Sequence, residues 1–229
     1  MSFESLHLMP VDLGALAFAL ATWIFYSIAV SGRLFGRTTL TTAMDRQREN
    51  WMRNMARRDL RMIDTGIMAG LQQGTAFFAS TCIFAIGGCL ALLGAADQVM
   101  SVLTDLPIAN VTSRGQFEIK VIGLLILVSY SFFKFAWSYR LFNYCSILIG
   151  AVPIAQDNDP ATDKAIERAA RMNVLGGRHF NAGLRGIFFA LGYLGWFVGP
   201  AVFVLTTLLV FLVLLRRQFF SNARNAAMM

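Results

Sequence analysis

The sequence predicts an all-α, polytopic membrane protein, a four-helix bundle whose long helices project into the cytoplasm and carry amphipathic cytoplasmic helices beside them. Three observations predict it. Of the 229 residues, 56% are hydrophobic and 14% charged, and the mean hydropathy is positive. The apolar residues gather in four blocks, about 11–31, 75–96, 119–139 and 184–215, each with the roughly 20 residues that a hydrocarbon core requires. The charges lie between the blocks, and most of the basic ones fall in two of the connections, about 32–74 and 140–183. No Pro/Ser-rich linker or fixed-period repeat divides the chain, so one membrane domain, 1–229, is expected.

The first block is preceded by Glu4 and no lysine or arginine, and Asp12 stands at its start, which argues against a cleaved signal peptide. The connection after it contains TTAMDRQRENWMRNMARRDLRMIDT. Met44, Trp51, Met55 and Met62 recur on one helical face and arginines fill the others, so an amphipathic helix is expected, capped by Thr41 or Thr42. Two placements stay open. Its apolar stripe packs on neighbouring helices, or the helix lies on an anionic leaflet.

Apolar sequence runs from Met62 to Ala96 and from Ile119 to Pro153. Helices of that length reach roughly 52 Å against a core of about 30 Å, so the second and third spans should continue into the cytoplasm as an antiparallel pair. That register sets Gln72 opposite Asn143, and Ser80 or Thr81 level with Lys134; these four polar residues besides Lys134 are candidates for a polar lining of the bundle or a pore. In the second connection, Asp159 and Pro160 predict an N-cap and first-turn proline, and Gly176 a stop, giving a short helix. The fourth block carries Gly199–Pro200 near its middle, where a bend is expected.

The net charge of +7 suggests nucleic acid only until the charges are sorted by position. Arg33, Arg37, Arg46, Arg48, Arg53, Arg57, Arg58 and Arg61 share one side with Arg140, Lys164, Arg168, Arg171, Arg178 and Arg185. With four spans, the other side keeps Arg114, Lys120, Arg216, Arg217 and Arg224. The positive-inside rule then makes this a multi-pass protein of the inner (plasma) membrane with both termini extracytoplasmic, and it excludes a nucleic-acid partner.

Lys134 stands inside an aromatic, apolar run, SYSFFKFAWSYRLFNY. Its side chain leans toward the helix N-terminus, deeper into the membrane, where a lone charge is expensive. It either contacts an anion or polar cavity or snorkels within the aromatic belt of Tyr130, Trp137, Tyr139 and Tyr144. GGRHFNAGLRG places Arg178, His179, Asn181 and Arg185 beside a helix start that could take an anion. Gly66, Gly70 and Gly74, with Gly195 and Gly199, suit close helix packing, within the bundle or between subunits. Cys82, Cys89 and Cys145 read as buried small residues. With only His7 and His179 and no metal or nucleophile motif, no catalytic group, metal or cofactor is expected.

Through RENWMRNMARRDLRMIDTG, SYSFFKFAWSYRLFNYCSILIGAVP and GGRHFNAGLRGIFFALGYLGWFVGP, over about residues 10–217, the chain resembles a family of bacterial and plant membrane proteins known as a domain of unknown function. The resemblance implies four spans and assigns no activity or residue. Three functions are compatible with the residues. The first is a homo-oligomeric channel or transporter for a small anion, and the second an accessory or scaffold subunit of a larger membrane complex. The third is an enzyme or binder acting on anionic lipid headgroups at the cytoplasmic face of the bilayer.

Overall fold

The computed structural model describes residues 8–30, 38–104, 113–154 and 159–228. Glu4, His7, Arg33 and Arg37 lie outside them. The elements in chain order are α1 (Pro10–Val30), α2 (Leu40–Ala56), α3 (Met62–Gly94), α4 (Ala96–Thr104), α5 (Arg114–Ala151), α6 (Pro160–Tyr193), α7 (Gly195–Val198), α8 (Pro200–Phe219) and α9 (Asn222–Met228). The protein is all-α and polytopic: Pro10–Val30, Met62–Gly94, Arg114–Ala151 and Pro200–Met228 are each long and apolar enough to cross a membrane.

Local chemistry sets several helix ends. Asp159 accepts from the amides of Ala161 (3.1 Å) and Thr162 (3.3 Å), with Pro160 at the first helical position. Ser113 accepts from Gln116 N at the start of α5. For α2 the cap is Thr39, which accepts from Thr42 N at 3.1 Å, so Thr41 and Thr42 are already helical rather than capping. The Arg61 guanidinium closes the other end of α5 by donating to the carbonyls of Ile149 (2.7 Å) and Val152 (2.5 Å), which have no partner inside the helix.

α3, α5 and α6 form the spine. α3 and α5 run antiparallel in the register expected, with Gln72 Nε2 donating to Asn143 Oδ1 at 2.8 Å and to Ser146 Oγ at 3.1 Å. Ser80 and Thr81 depart from expectation. Phe78 and Cys82 turn toward α5, so Ser80 and Thr81 fall on the exposed face of α3, and Thr81 Oγ1 returns to its own Phe77 carbonyl. Height along a helix follows from numbering, whereas the face follows from which neighbours are buried.

The second half of the α2 apolar stripe is buried against neighbouring helices, while Met44 near its start is exposed. Met52, Met55 and Ala56 pack with Met68 of α3, Phe142, Cys145 and Ile149 of α5, and Ile166 and Ala169 of α6. Buried Asp64 accepts from Trp51 Nε1 (2.7 Å) and Arg58 Nη1 (2.6 Å), which ties α2 and its exit to α3. The stripe stops with α2 at Ala56, and Met62 begins α3, exposed.

α6 departs most from the sequence reading. Gly176 does not end a short helix, because α6 runs unbroken for 34 residues, roughly 51 Å. Gly176, Gly183 and Gly186 are the seats of α5: a Cβ at Gly176 would lie 2.7 Å from the Phe142 ring, and one at Gly183 2.7 Å from Phe135. By contrast Gly66, Gly70 and Gly74 have nothing within 4 Å of such a Cβ, so among the described residues no helix packs on them.

The expected single span 184–215 is two helices. α6 ends at Tyr193, α7 and Gly199 make the turn, and α8 folds back along α6. Thr206 Oγ1 donates to the Gly192 carbonyl at 2.7 Å, the Gly195 position sits against Thr206, and Arg217 stacks over Phe188 with 5.8 Å to the ring centroid. Gly199–Pro200 is thus a reversal rather than a kink, and Gly195 a seat for the returning helix.

The reversal moves the C-terminal segment. Arg224 Nε donates to the Thr38 carbonyl (2.7 Å), Gln47 Nε2 to the Ala227 carbonyl (3.4 Å), and Gln218 pairs with Thr41. α9 therefore lies beside α2, while the start of α1 lies at the other end of the bundle beside Trp196. The described chain ends are at opposite ends, against the expectation that they share a side. We call the α2 and α9 end the basic end, and the Asp12 and Trp196 end the far end.

Candidate functional site

Three helices converge where α1 stops. α6 presents Arg178, Asn181 and Arg185, whose spacing of three and four residues puts them on one face. α2 presents Thr41, Asp45 and Arg48 on the same principle, and the end of α8 brings Arg217 and Gln218. Between them lie two adjoining cavities of about 260 and 310 Å³, which share Thr41, Asp45 and Asn181.

Cations outnumber anions in these walls. Arg48, Arg178, Arg185 and Arg217 line them, and Asp45 is the single carboxylate among the described lining residues. Arg178 Nε donates to Asp45 Oδ2 at 2.9 Å. Arg48 is satisfied by a neutral group, donating to Oδ1 of the fully buried Asn173, with its guanidinium 5.8 Å from the Phe142 ring centroid. Arg185, half buried, makes no hydrogen bond or ion pair with any described residue.

Burial governs the local titration. It pushes the Asp45 carboxyl above the ordinary carboxylate range, more strongly than the hydrogen bond and charge of Arg178 pull it down. It also lowers Arg48 from its usual value. Asp45 and Arg48 are thus drawn partly out of water, where a charged group gains from a counter-charge, while Arg178 and Arg217 stay exposed. Chemically the arrangement can hold an anion: guanidinium groups supply forked donors, and Asn181 and Gln218 add amides.

The structure splits the anion cluster read from the sequence. Arg178, Asn181 and Arg185 come together, but His179 points to another side of α6, edge-on to Trp137 with ring centroids 6.5 Å apart. Lys134 is on that side too, half buried, with Nζ 5.2 Å from the Tyr130 ring centroid. Sequence reasoning missed Thr41, Asp45, Arg48, Asn173, Arg217 and Gln218. The first three were legible as a polar stripe on α2; Arg217 and Gln218 were not, because they reach the site only through the reversal at Gly199.

A second polar cluster closes the far end. Asp12 Oδ1 accepts from Trp196 Nε1 at 2.6 Å, and Lys120 Nζ donates to the Trp196 carbonyl at 2.8 Å, all three residues being buried. Trp196 stacks on Phe203, with ring centroids 5.3 Å apart.

Long apolar helices around a bundle with polar groups at its two ends define an all-α integral membrane protein. The chain belongs to the family described as Protein of unknown function, DUF599, whose model matches residues 14–223. No curated protein and no solved structure matches the chain.

Proposed function

We propose that this membrane protein binds a small oxyanion of the phosphate class in the arginine cavity, at the cytoplasmic end of its bundle. The observation that carries the reading is Arg185, a half-buried guanidinium without a hydrogen-bonding or acidic partner among the described residues, in a wall where four arginines share one carboxylate. An anion there would offset the partial desolvation of Arg48 and Arg185 together, with the exposed Arg178 and Arg217 at the rim.

The basic end is cytoplasmic in this reading. With α8 returning toward α2, all described lysines and arginines except Arg114, Lys120 and Lys134 belong to that end, so Arg216 and Arg217 no longer oppose the positive-inside rule. The bundle then crosses the inner (plasma) membrane five times, by α1, α3, α5, the second half of α6, and α8, with the N-terminus outside and the C-terminus inside. Cysteine labelling tests this: Ser221→Cys should react from the same side as Arg53→Cys, and labelling from opposite faces would refute it.

Binding is supported better than passage. Below the cavity the rings of Phe78, Phe135 and Phe180 meet with centroids 5.4 to 5.6 Å apart, filling the space between α3, α5 and α6. The test is a thermal-shift titration of purified protein with sulfate and with inorganic phosphate at constant ionic strength. Wild type should be stabilised in a saturable way. Arg185→Gln should weaken the apparent affinity by about tenfold or more, through loss of a charge-assisted contact, at an unchanged melting temperature without anion. Equal titrations for the two proteins would reject the site.

A further inference from the structure

The two adjoining chambers of the arginine cavity differ in kind. The one toward α1 is walled by Arg178 and Arg185 with the hydroxyls of Ser27, Thr41 and Thr42. The one toward α3 sets Arg48 and Arg217 beside Met44, Leu71, Phe142 and Phe180. Gly70 and Gly74 complete its wall; both are exposed, and a Cβ on either would meet no atom within 4 Å. The glycines leave the α3 side of the cavity open. A lone oxyanion satisfies the arginines there, but it leaves the apolar half of the wall to water.

An apolar track leads from that chamber toward the far end. Phe180, Leu184, Ile187 and Leu191 recur on one face of α6 at spacings of four, three and four. Leu184 packs in a cluster with Phe78 of α3 and borders a crevice with Leu214 and Arg217 of α8, so the track starts between those two helices. It emerges at Leu191, 56% exposed. The height fits a lipid as well. Val30 at the end of α1 and Gln218 near the end of α8 line the cavity, which therefore sits where two spans reach the bilayer surface, level with lipid phosphates.

We infer that the occupant of the cavity is an anionic glycerophospholipid of the cytoplasmic leaflet, its headgroup entering past Gly74, its phosphate held by Arg185 and the neighbouring arginines, and one acyl chain descending along Leu184, Ile187 and Leu191. The inference rests on the oxyanion reading of the cavity and adds that the oxyanion comes from the membrane, attached to a chain. The arginines then meet their counter-charge while the apolar wall and the α6 track meet hydrocarbon.

Native mass spectrometry of the full chain in detergent, titrated with phosphatidylglycerol, phosphatidylcholine or inorganic phosphate, tests the inference beside the sulfate thermal shift. Wild type should retain phosphatidylglycerol in preference to phosphatidylcholine, and an equal concentration of inorganic phosphate should not displace it. Arg185→Gln should weaken phosphatidylglycerol and sulfate alike, by about tenfold. Gly74→Leu narrows the mouth and Leu191→Gln makes the track polar; each should weaken phosphatidylglycerol about fivefold and leave the sulfate titration as in wild type. The helix at Gly74 accepts leucine, because a Cβ there meets open space and leucine favours helix over glycine. Equal retention of the two lipids, displacement by phosphate, or wild-type retention by both Gly74→Leu and Leu191→Gln overturns the inference, while a saturable sulfate response keeps the oxyanion reading. Undiminished lipid retention in Arg185→Gln also overturns it. Without any sulfate response in wild type, the oxyanion reading and the inference fail together.

Discussion

The two ends of the bundle solve the burial of charge in opposite ways. At the far end Asp12, Lys120 and Trp196 are buried together with one acid, one base and an indole between them, and each polar atom that the geometry brings inward meets a partner. At the basic end four arginines surround two cavities with one carboxylate, and Arg185 makes neither hydrogen bond nor ion pair with a described residue. A closed polar cluster fastens helices to one another. An open one, with surplus charge and empty volume, stores an interaction for something else.

Substitutions at the far end should therefore cost stability, and substitutions at the basic end should change binding. The largest effect expected is Trp196→Ala, which removes a buried ring stacked on Phe203 and the hydrogen bond that ties it to Asp12 of α1. A loss of about 3–5 kcal/mol is expected from the cavity alone, read as a fall in melting temperature. Lys120→Met comes next. It leaves the Trp196 carbonyl without its donor, and about 1–3 kcal/mol should be lost with sulfate titration unaltered. Melting temperatures within experimental scatter of wild type for both variants would end the idea that this end is a fastening.

At the basic end Arg217→Gln should leave thermal stability close to wild type while lowering sulfate affinity several-fold. A large drop in melting temperature would show that the arginines are structural after all. The smallest effect is Asp45→Asn, which removes the one carboxylate facing the anion and should tighten sulfate binding a few-fold near neutral pH.

The pH dependence of that last effect has a definite sign. The folded Asp45 carboxyl titrates above its ordinary value of 3.8, because burial outweighs Arg178. Wild type should bind sulfate more tightly as pH falls through that raised value, approaching the Asp45→Asn variant, since sulfate keeps its charge over this range. By the same linkage, the contribution of Asp45 to stability is fully present below its unfolded pKa and is lost as pH rises through the folded one. Parallel pH profiles for the two proteins would remove Asp45 from the cavity's electrostatics.

Much of the scaffold was legible from local signals. Asp159–Pro160 marks the start of α6, and the continuous apolar run fixes the lengths of α3 and α5. Their antiparallel register follows from the short outer connection and brings Gln72 to Asn143. The candidate site was legible only on α6 and, had the spacing of Thr41, Asp45 and Arg48 been weighed, on α2. His179 was read as part of one anion cluster with Arg178, Asn181 and Arg185, but numbering cannot say that residues 178 and 179 face different neighbours until α5 and α2 are both in place.

The sequence by itself determined that this chain belongs in a membrane, because apolar blocks of spanning length leave no other medium for their surface, and it determined where α6 begins, because the Asp159–Pro160 cap acts within a few residues. Only the tertiary structure decided the direction of α8. Hydropathy has magnitude but no direction, and Gly199–Pro200 serves a kink and a reversal equally well. The contacts of Thr206 with Gly192 and Gly195 go with the reversal. That one turn carries Arg217 and Gln218 to the basic end and completes the cavity from residues that the sequence alone placed on the opposite side of the membrane.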